Sequence, residues 1–363
     1  MIVEHLELRN FRNYDSAKIS FMPGLNVLFG ANGQGKTNLL EGLFFLSCAR
    51  SFRVSEDRQM IQDDKDAAKL SVRVRNDDRE QILSGVIYPS QKTLSVNKRP
   101  VAKLSEFVGL LNTVLFSPLD MELFHQAPRY CRRFVDQELS KVSRDYLESL
   151  RSYNGVLKER NLVLKGEHVD MVYLSVLNTR FVQAMWPVVT GRRKFISELN
   201  ALLPDHYQKL TGEKHEVQLR YRPGFVWVQN AAELEKQVEK NVQRDLTMHQ
   251  SVSGAHKDDL EILLDQHPAD GYGSQGQKRM LMLALKLSLC SWIEAKSQKK
   301  PVLLFDDVFS ELDFRHQQQL LNCLPEGVQT LITTTDDSAL REYSLPCRRF
   351  VIHEGTIEEK NGG

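Results

Sequence analysis

The chain has 363 residues, a formal net charge of +1, 41% hydrophobic and 26% charged residues. This length suits two domains or one domain with a large insertion, and the composition is that of an ordinary globular protein. The near-zero charge excludes a uniformly basic molecule, so a nucleic-acid surface has to be a local patch; no apolar run approaches the ~20 residues that span a bilayer.

From the N-terminus, residues 3–8 and 17–21 alternate as strands, and the acidic residues Glu4 and Glu7 argue against a signal peptide. The five cysteines (Cys48, Cys131, Cys290, Cys323, Cys347) are scattered, with no metal-binding spacing, and read as reduced thiols of a cytoplasmic protein. Residues 26–29 form a short buried strand that runs into Gly30-Ala31-Asn32-Gly33-Gln34-Gly35-Lys36-Thr37. These eight residues match the phosphate-binding pattern G-x-x-x-x-G-K-[ST]. Residues 37–49 follow as an apolar helix, with Leu39, Leu40, Leu43, Phe44 and Leu46 near helical spacing. Strand, glycine-rich turn and helix N-terminus together make an anion site of backbone N–H groups. Lys36 is placed to reach the β- and γ-phosphates of a nucleotide, and Asn38 continues the loop into the helix. The Thr37 hydroxyl is a Mg²⁺ ligand. Taken alone, the motif says only that a nucleoside triphosphate binds.

Residues 70–74 and 82–88 read as further strands with a charged turn at Arg79, and 92–101 as a strand pair around Asn97-Lys98-Arg99. From 117 to about 250 the pattern becomes helical, at 132–164, 171–203 and 231–239, interrupted by a strand-like stretch at 217–228. After Gly254 the α/β character returns. Residues 260–264 are strand-like, 271–276 a loop, 277–296 a helix, 302–305 a buried strand and 328–334 another, and the chain ends in polar residues. The expected organisation is an α/β nucleotide-binding lobe with mixed sheets (1–116), an inserted, mainly helical lobe (117–252), and a return to the core (253–363).

Val302-Leu303-Leu304-Phe305-Asp306-Asp307 is an apolar strand ending in two carboxylates, the form of a Walker B element. It places Asp306 at the Mg²⁺ and its waters and Asp307 where it polarises an attacking water. Gly273-Ser274-Gln275-Gly276-Gln277 opens an apolar helix, which makes Ser274 and Gly276 a second phosphate-binding helix start; an ordinary N-cap uses the same residue types. Ser310-Glu311-Leu312-Asp313 follows the paired acids directly.

This order of P-loop, inserted lobe, signature loop, Walker B and D-loop resembles the ABC-type ATPases. The resemblance implies an ATPase head in which the signature loop of one subunit contacts the γ-phosphate held by another, giving an ATP-dependent homodimer with two-fold symmetry. The absence of membrane segments and of a long coiled coil weakens a transporter or an SMC/Rad50 reading. A metabolic P-loop kinase lacks a signature loop. Thr335, in Ile332-Thr333-Thr334-Thr335-Asp336, stands where those ATPases carry a switch histidine.

A closer resemblance is to the RecF family. It rests on Leu8-Arg9-Asn10-Phe11-Arg12-Asn13-Tyr14, on Asn32 to Glu41, on Ser51-Phe52-Arg53, on Phe116-Ser117-Pro118-Leu119-Asp120, on Arg132-Arg133-Phe134-Val135-Asp136, on Arg160-Asn161 and on Gly254-Ala255-His256-Lys257-Asp258-Asp259-Leu260. It covers nearly the whole chain, least at 165–252, and Ala255 replaces a usual proline. The resemblance implies ATP-dependent binding to duplex DNA beside single-stranded gaps, weak ATPase activity that resets a switch, action with RecO and RecR to help load RecA, and support of the SOS response.

Arg12, Arg50 and Arg53 are candidates for phosphate contact or for ordinary surface positions, and Arg9 and Asn10 for nucleotide edge contacts. Arg129, Arg132 and Arg133 are candidates for DNA phosphates or for ion pairs with Asp136 and Glu138. Arg192, Arg193 and Lys194, together with Lys98 and Arg99 on a hairpin tip, are the better DNA candidates. No aromatic–basic interleaving points to a base-stacking platform. His256 is either a γ-phosphate sensor or a packed core residue, and Asp258 and Asp259 are expected to close a turn or pair with Lys257.

Overall fold

The computed structural model describes residues 1–76, 79–125, 128–335 and 346–360. Alternating burial along β1 (Ile2–Phe11) and β2 (Tyr14–Ser20) gives a half-buried antiparallel pair. β3 (Leu25–Phe29) is buried along nearly its whole length and leads into α1 (Lys36–Cys48). β4 (Ala68–Asn76), β5 (Arg79–Ile87), β6 (Lys92–Val96) and β7 (Arg99–Pro100) extend the first sheet in the order β2-β1-β4-β5-β6-β7. Arg79 is not in a turn: it opens β5 opposite Asn76, and the residues between them lie outside the described ones.

β8 (Thr113–Phe116), which the composition does not announce, is a short strand buried throughout. After it come α2 (Glu122–His125), α3 (Pro128–Val142) and α4 (Arg144–Leu164). The single helical pattern expected at 132–164 is two helices, because the Ser143 side chain accepts from the Tyr146 N–H and starts a new N-terminus. α5 (Met171–Asn200) starts at Asp170, whose carboxylate accepts from Val172 and Tyr173 N–H. α6 (Leu203–Thr211) and β9 (Val217–Arg222) follow, and the chain from 223 to 228 is not strand. α7 (Ala231–Met248) outruns its expected end at 239, started by the Asn230 side chain, which accepts from the Glu233 N–H, while the Glu233 carboxylate accepts from the Gln229 N–H.

Next come β10 (Asp259–Leu264), β11 (His267–Pro268), α8 (Ala269–Tyr272), α9 (Gln275–Ser297), β12 (Val302–Asp306), α10 (Phe314–Asn322), β13 (Thr330–Thr334), β14 (Cys347–His353) and β15 (Thr356–Lys360). The polar C-terminal stretch is therefore a hairpin, and β14 pairs in parallel with β3.

Contacts divide the chain into two compact units: residues 1–121, 205–214 and 279–363, and residues 122–204 and 215–278. The second unit reaches beyond the expected return at 253 because β10 pairs antiparallel with β9 and β11. In the first unit, the second sheet runs β15-β14-β3-β13-β12-β8, parallel except at β15. In-register pairing of Thr334 with Phe29 and of Thr333 with Asp306 brings the carboxyl ends of β3, β13 and β12 to one edge. Ligands of open α/β sheets bind at that edge.

Candidate nucleotide site

The phosphate loop leaves β3 at Gly30. A Cβ on this residue would lie 2.3 Å from the Ile352 carbonyl oxygen, so β14 backs the loop too closely for any side chain there. Gly35 precedes α1, and Lys36 is its first residue. The Lys36 ammonium donates to the carbonyls of Gly30 (2.6 Å) and Ala31 (2.8 Å). Burial holds its pKa below the usual lysine range, against the opposing pull of Asp307 and Asp306.

Thr37 donates its hydroxyl to Asp306 Oδ1 at 2.7 Å, joining the two ends of the expected site across most of the chain. Thr333 donates to the same oxygen at 3.1 Å and accepts from the Asp307 N–H at 2.9 Å. Asp306 is buried, and desolvation raises its pKa even though hydrogen bonds from Thr37 and Thr333 favour the charged form. Asp307 adopts left-handed backbone (φ 53°), and its buried Oδ1 has no hydrogen-bond partner among the described residues. A hydroxyl–carboxylate pair and an unsatisfied carboxylate oxygen beside the phosphate loop fit a hydrated divalent cation. No cluster of three or more His, Cys, Asp or Glu metal ligands occurs among the described residues.

The contribution of Glu41 was not foreseen. Its carboxylate is fully buried on α1 and accepts Arg12 Nε and Nη2 at 2.9 and 2.7 Å. Ser51 donates to it as well, and Arg53 lies 3.6 Å away. Arg12 Nη1 is held by the Gln59 carbonyl at 2.7 Å. Arg12 thus braces α1, because a buried carboxylate claims a bidentate guanidinium. Arg53 donates to Asn38, and Asn38 to Asn13, along the first turn of α1. Asn10 is tied to the Ala67 carbonyl, while Arg9 and Arg50 are exposed.

In the second unit, Ser274 and Gln277 form reciprocal bonds: Ser274 N–H to Gln277 Oε1 (2.9 Å) and Gln277 N–H to Ser274 Oγ (3.2 Å). This is a capping box, and it leaves Ser274, Gln275 and Gly276 exposed at the start of α9. In the first unit, Ser310 Oγ donates to the Asp307 carbonyl, and Asp313 caps α10 through the His316 N–H.

The basic candidates separate by burial. Lys98 and Arg99 are exposed at the β6–β7 turn, and Arg129, Arg193 and Lys194 are exposed in the second unit. Arg193 also lies over the Trp227 ring at 4.2 Å. Arg192 is buried and bonded to Asp136 (2.9 Å), Asp258 (2.6 Å) and the Ala255 carbonyl (2.6 Å); it is a core cation and leaves the DNA set. Arg132 and Arg133 are half-buried, and Arg132 donates to the Asp258 carbonyl rather than pairing with Asp136 or Glu138. Glu138 pairs with Lys141 instead. Arg160 is fully buried between Asn178, Ser251 and Asp245. Asp258 pairs with Arg192, not Lys257. His256 bonds to Tyr153 and the Ser251 carbonyl, and burial lowers its pKa to about 4, the packed arrangement of the two readings. Thr335 is half-buried just past β13, and Asp336 lies outside the described residues.

Residues 2–358 match the family model described as the RecF/RecN/SMC N terminal domain. The DNA replication and repair protein RecF of Lactobacillus delbrueckii subsp. bulgaricus is 38% identical over 375 residues, covering 100% of this chain and 98% of the relative. The chain belongs to the RecF family. A solved structure described as the recombination mediator protein RecF-ATP in the RecFOR pathway superposes on this RecF-family chain with a TM-score of 0.90 at 28% identity, covering 99% of this chain and 97% of that one. An Smc head bound to the C-winged helix domain of ScpA gives a TM-score of 0.56 at 16% identity over 99% of this chain and 98% of that one, a likeness of fold. The fold is accordingly an ABC-type ATPase head with mixed sheets and a helical lobe, as expected. No helix among the described residues is long and apolar enough to cross a membrane.

Proposed function

We propose that this chain is an ATP-dependent DNA-binding protein of recombinational repair and replication restart. The observation that carries the reading is the Thr37–Asp306 hydrogen bond, which joins the phosphate loop to the paired acids. The names of the relatives, DNA replication and repair protein and recombination mediator protein, supply the setting.

In this reading the loop amides of residues 30–37 bind the triphosphate, and Lys36 exchanges its two loop carbonyls for β- and γ-phosphate oxygens. Thr37 and Asp306 would hold a Mg²⁺ ion, which would supply neutralisation of phosphate charge. Asp307, whose Oδ1 is unsatisfied, orients and polarises the attacking water. Thr333 holds Asp306 in place, and Thr335 with a water takes the place of the switch histidine. Turnover is slow, and the ATPase acts mainly as a switch.

Ser274 and Gly276 complete the site of a second copy, so ATP closes a head-to-tail homodimer on duplex DNA near single-stranded gaps. Lys98, Arg99, Arg129, Arg193 and Lys194 contact DNA phosphates. RecR and RecO are the partners, RecA is loaded indirectly, and the SOS response is supported. The place of action is the cytoplasm.

Sedimentation with and without ATP and gapped DNA tests this. ATP should shift the wild-type chain to a dimer, and gapped DNA should co-sediment with that dimer. Ser274→Arg should bind ATP and stay monomeric; normal dimerisation of Ser274→Arg would remove the trans-acting signature loop.

A further inference from the structure

Two hairpin turns remote in sequence hold the phosphate loop from outside. The β1–β2 turn contributes Asn13, whose Nδ2 donates to the Gln34 carbonyl at 3.0 Å, and Tyr14, whose hydroxyl donates to the Gly35 carbonyl at 3.0 Å. The β14–β15 turn contributes two backbone amides. Gly355 N–H donates to the Gln34 carbonyl at 3.2 Å, and Glu354 N–H donates to Gln34 Oε1 at 2.7 Å. Both turn residues have positive φ (46° and 74°), the geometry of a tight two-residue hairpin. A Cβ on Gly355 would lie 2.6 Å from the Asn13 carbonyl oxygen, so the two turns meet at a point where only glycine fits.

Gln34 is the single residue between Gly33 and Gly35, in a stretch that is otherwise pliable. Its carbonyl and its side-chain oxygen are both taken by the turns, and Gly30, at the loop's other end, is backed by Ile352 of the same hairpin. An anion site made of backbone amides binds well only if those amides are pre-arranged, because ordering a glycine-rich loop on binding subtracts from affinity.

We propose that Gln34 is a positioning residue: pinned by the Glu354-Gly355 turn, it holds the loop amides in their phosphate-binding arrangement, so the C-terminal hairpin sets nucleotide affinity. This inference rests on the nucleotide reading of the site. It gives the β14–β15 hairpin a task that neither its polar sequence nor its edge position announces. It also makes that task independent of the charges of Lys36 and Asp306.

The test is equilibrium calorimetry with Mg²⁺ and ATP on the full chain, comparing wild type, Gln34→Ala, Gly355→Ala and the double variant. Gln34→Ala loses one hydrogen bond and should raise Kd about fivefold. Gly355→Ala adds a clash and a strained φ and should raise Kd about tenfold or more. The double variant should fall short of the product, since both changes release the same pin. Sites per chain and Tm of Gln34→Ala should match wild type, and ATP should slow hydrogen exchange at the Glu354 amide in wild type but not in Gln34→Ala. Should Gly355→Ala fail to fold, Gln34→Ala, which introduces no clash, decides the matter. An unchanged Kd in Gln34→Ala, or a loss seen only as fewer sites with a lower Tm, overturns the positioning role. A wild-type chain that binds no ATP removes the nucleotide reading, and this proposal with it.

Discussion

The buried charges of the nucleotide site and the buried arginines of the second unit are handled in opposite ways. In the first unit, Lys36 is held by two carbonyls and Asp306 by two hydroxyls, so each buried charge has neutral hydrogen-bond partners and no direct ion pair. In the second unit, Arg192 is closed by Asp136 and Asp258, and Arg160 by Asp245. A buried charge satisfied by dipoles keeps its field for an incoming ligand; one satisfied by an opposite charge is spent on the fold. Arg12 follows the second pattern despite its place beside the phosphate loop, because Glu41 is buried within reach.

The largest test of this contrast is Lys36→Met. Removing the one loop ammonium should weaken ATP binding by roughly 100-fold or more and abolish ATP-dependent DNA binding, with little loss of stability. Calorimetry and a denaturation curve check both halves, and a large drop in stability with ATP binding retained would reverse the contrast. Arg192→Ala should do the opposite. The buried Asp258 and the half-buried Asp136 lose their partner, and unfolding free energy should fall by about 3–5 kcal/mol in urea titration. Retention of wild-type stability would mean that the second unit's ion core is not structural.

A smaller effect is expected from pH. The folded-state pKa of His256 lies near 4, below its ordinary 6.5, so the folded protein binds fewer protons than the unfolded chain in that interval. The stability contributed by neutral His256 is present above pH 6.5 and is lost as pH falls towards 4. His256→Gln should flatten the pH dependence of the urea midpoint in that range. An identical pH profile in the variant would show that other groups carry the dependence. The smallest effect is that of Arg193→Ala. It should leave stability within about 1 kcal/mol, the size of an exposed cation–π contact, while reducing the salt dependence of DNA binding by about one phosphate contact. Equal salt slopes would take Arg193 out of the DNA surface.

The contrast between Arg192 and Arg193 also marks where a linear sequence stops being informative. Arg192-Arg193-Lys194 reads as a single basic run, yet successive residues of a helix point about 100° apart. On α5, Arg192 turns into the ion core while Arg193 and Lys194 face solvent. Similarly, the continuous helical pattern of 132–164 hid the Ser143 cap, because a serine between two amphipathic stretches leaves their apolar spacing intact. The capping box at Ser274 and Gln277 was readable, since its partners lie three residues apart.

By itself, the sequence determined the elements whose chemistry is local. The phosphate loop, its helix, the apolar strand ending in Asp306-Asp307 and the membership of the RecF family could all be read from neighbouring residues, because backbone amides and short-range glycine and lysine spacing define them. Tertiary structure alone decided which partners those elements take. Parallel pairing of β3, β13 and β12 sets Thr37 against Asp306 and supplies Thr333 between them. It alone turned Arg12 and Arg192 inward and laid the β14–β15 turn against Gln34. Burial and long-range pairing depend on strand order and on the face each side chain presents, and neither is encoded in any short stretch of chain.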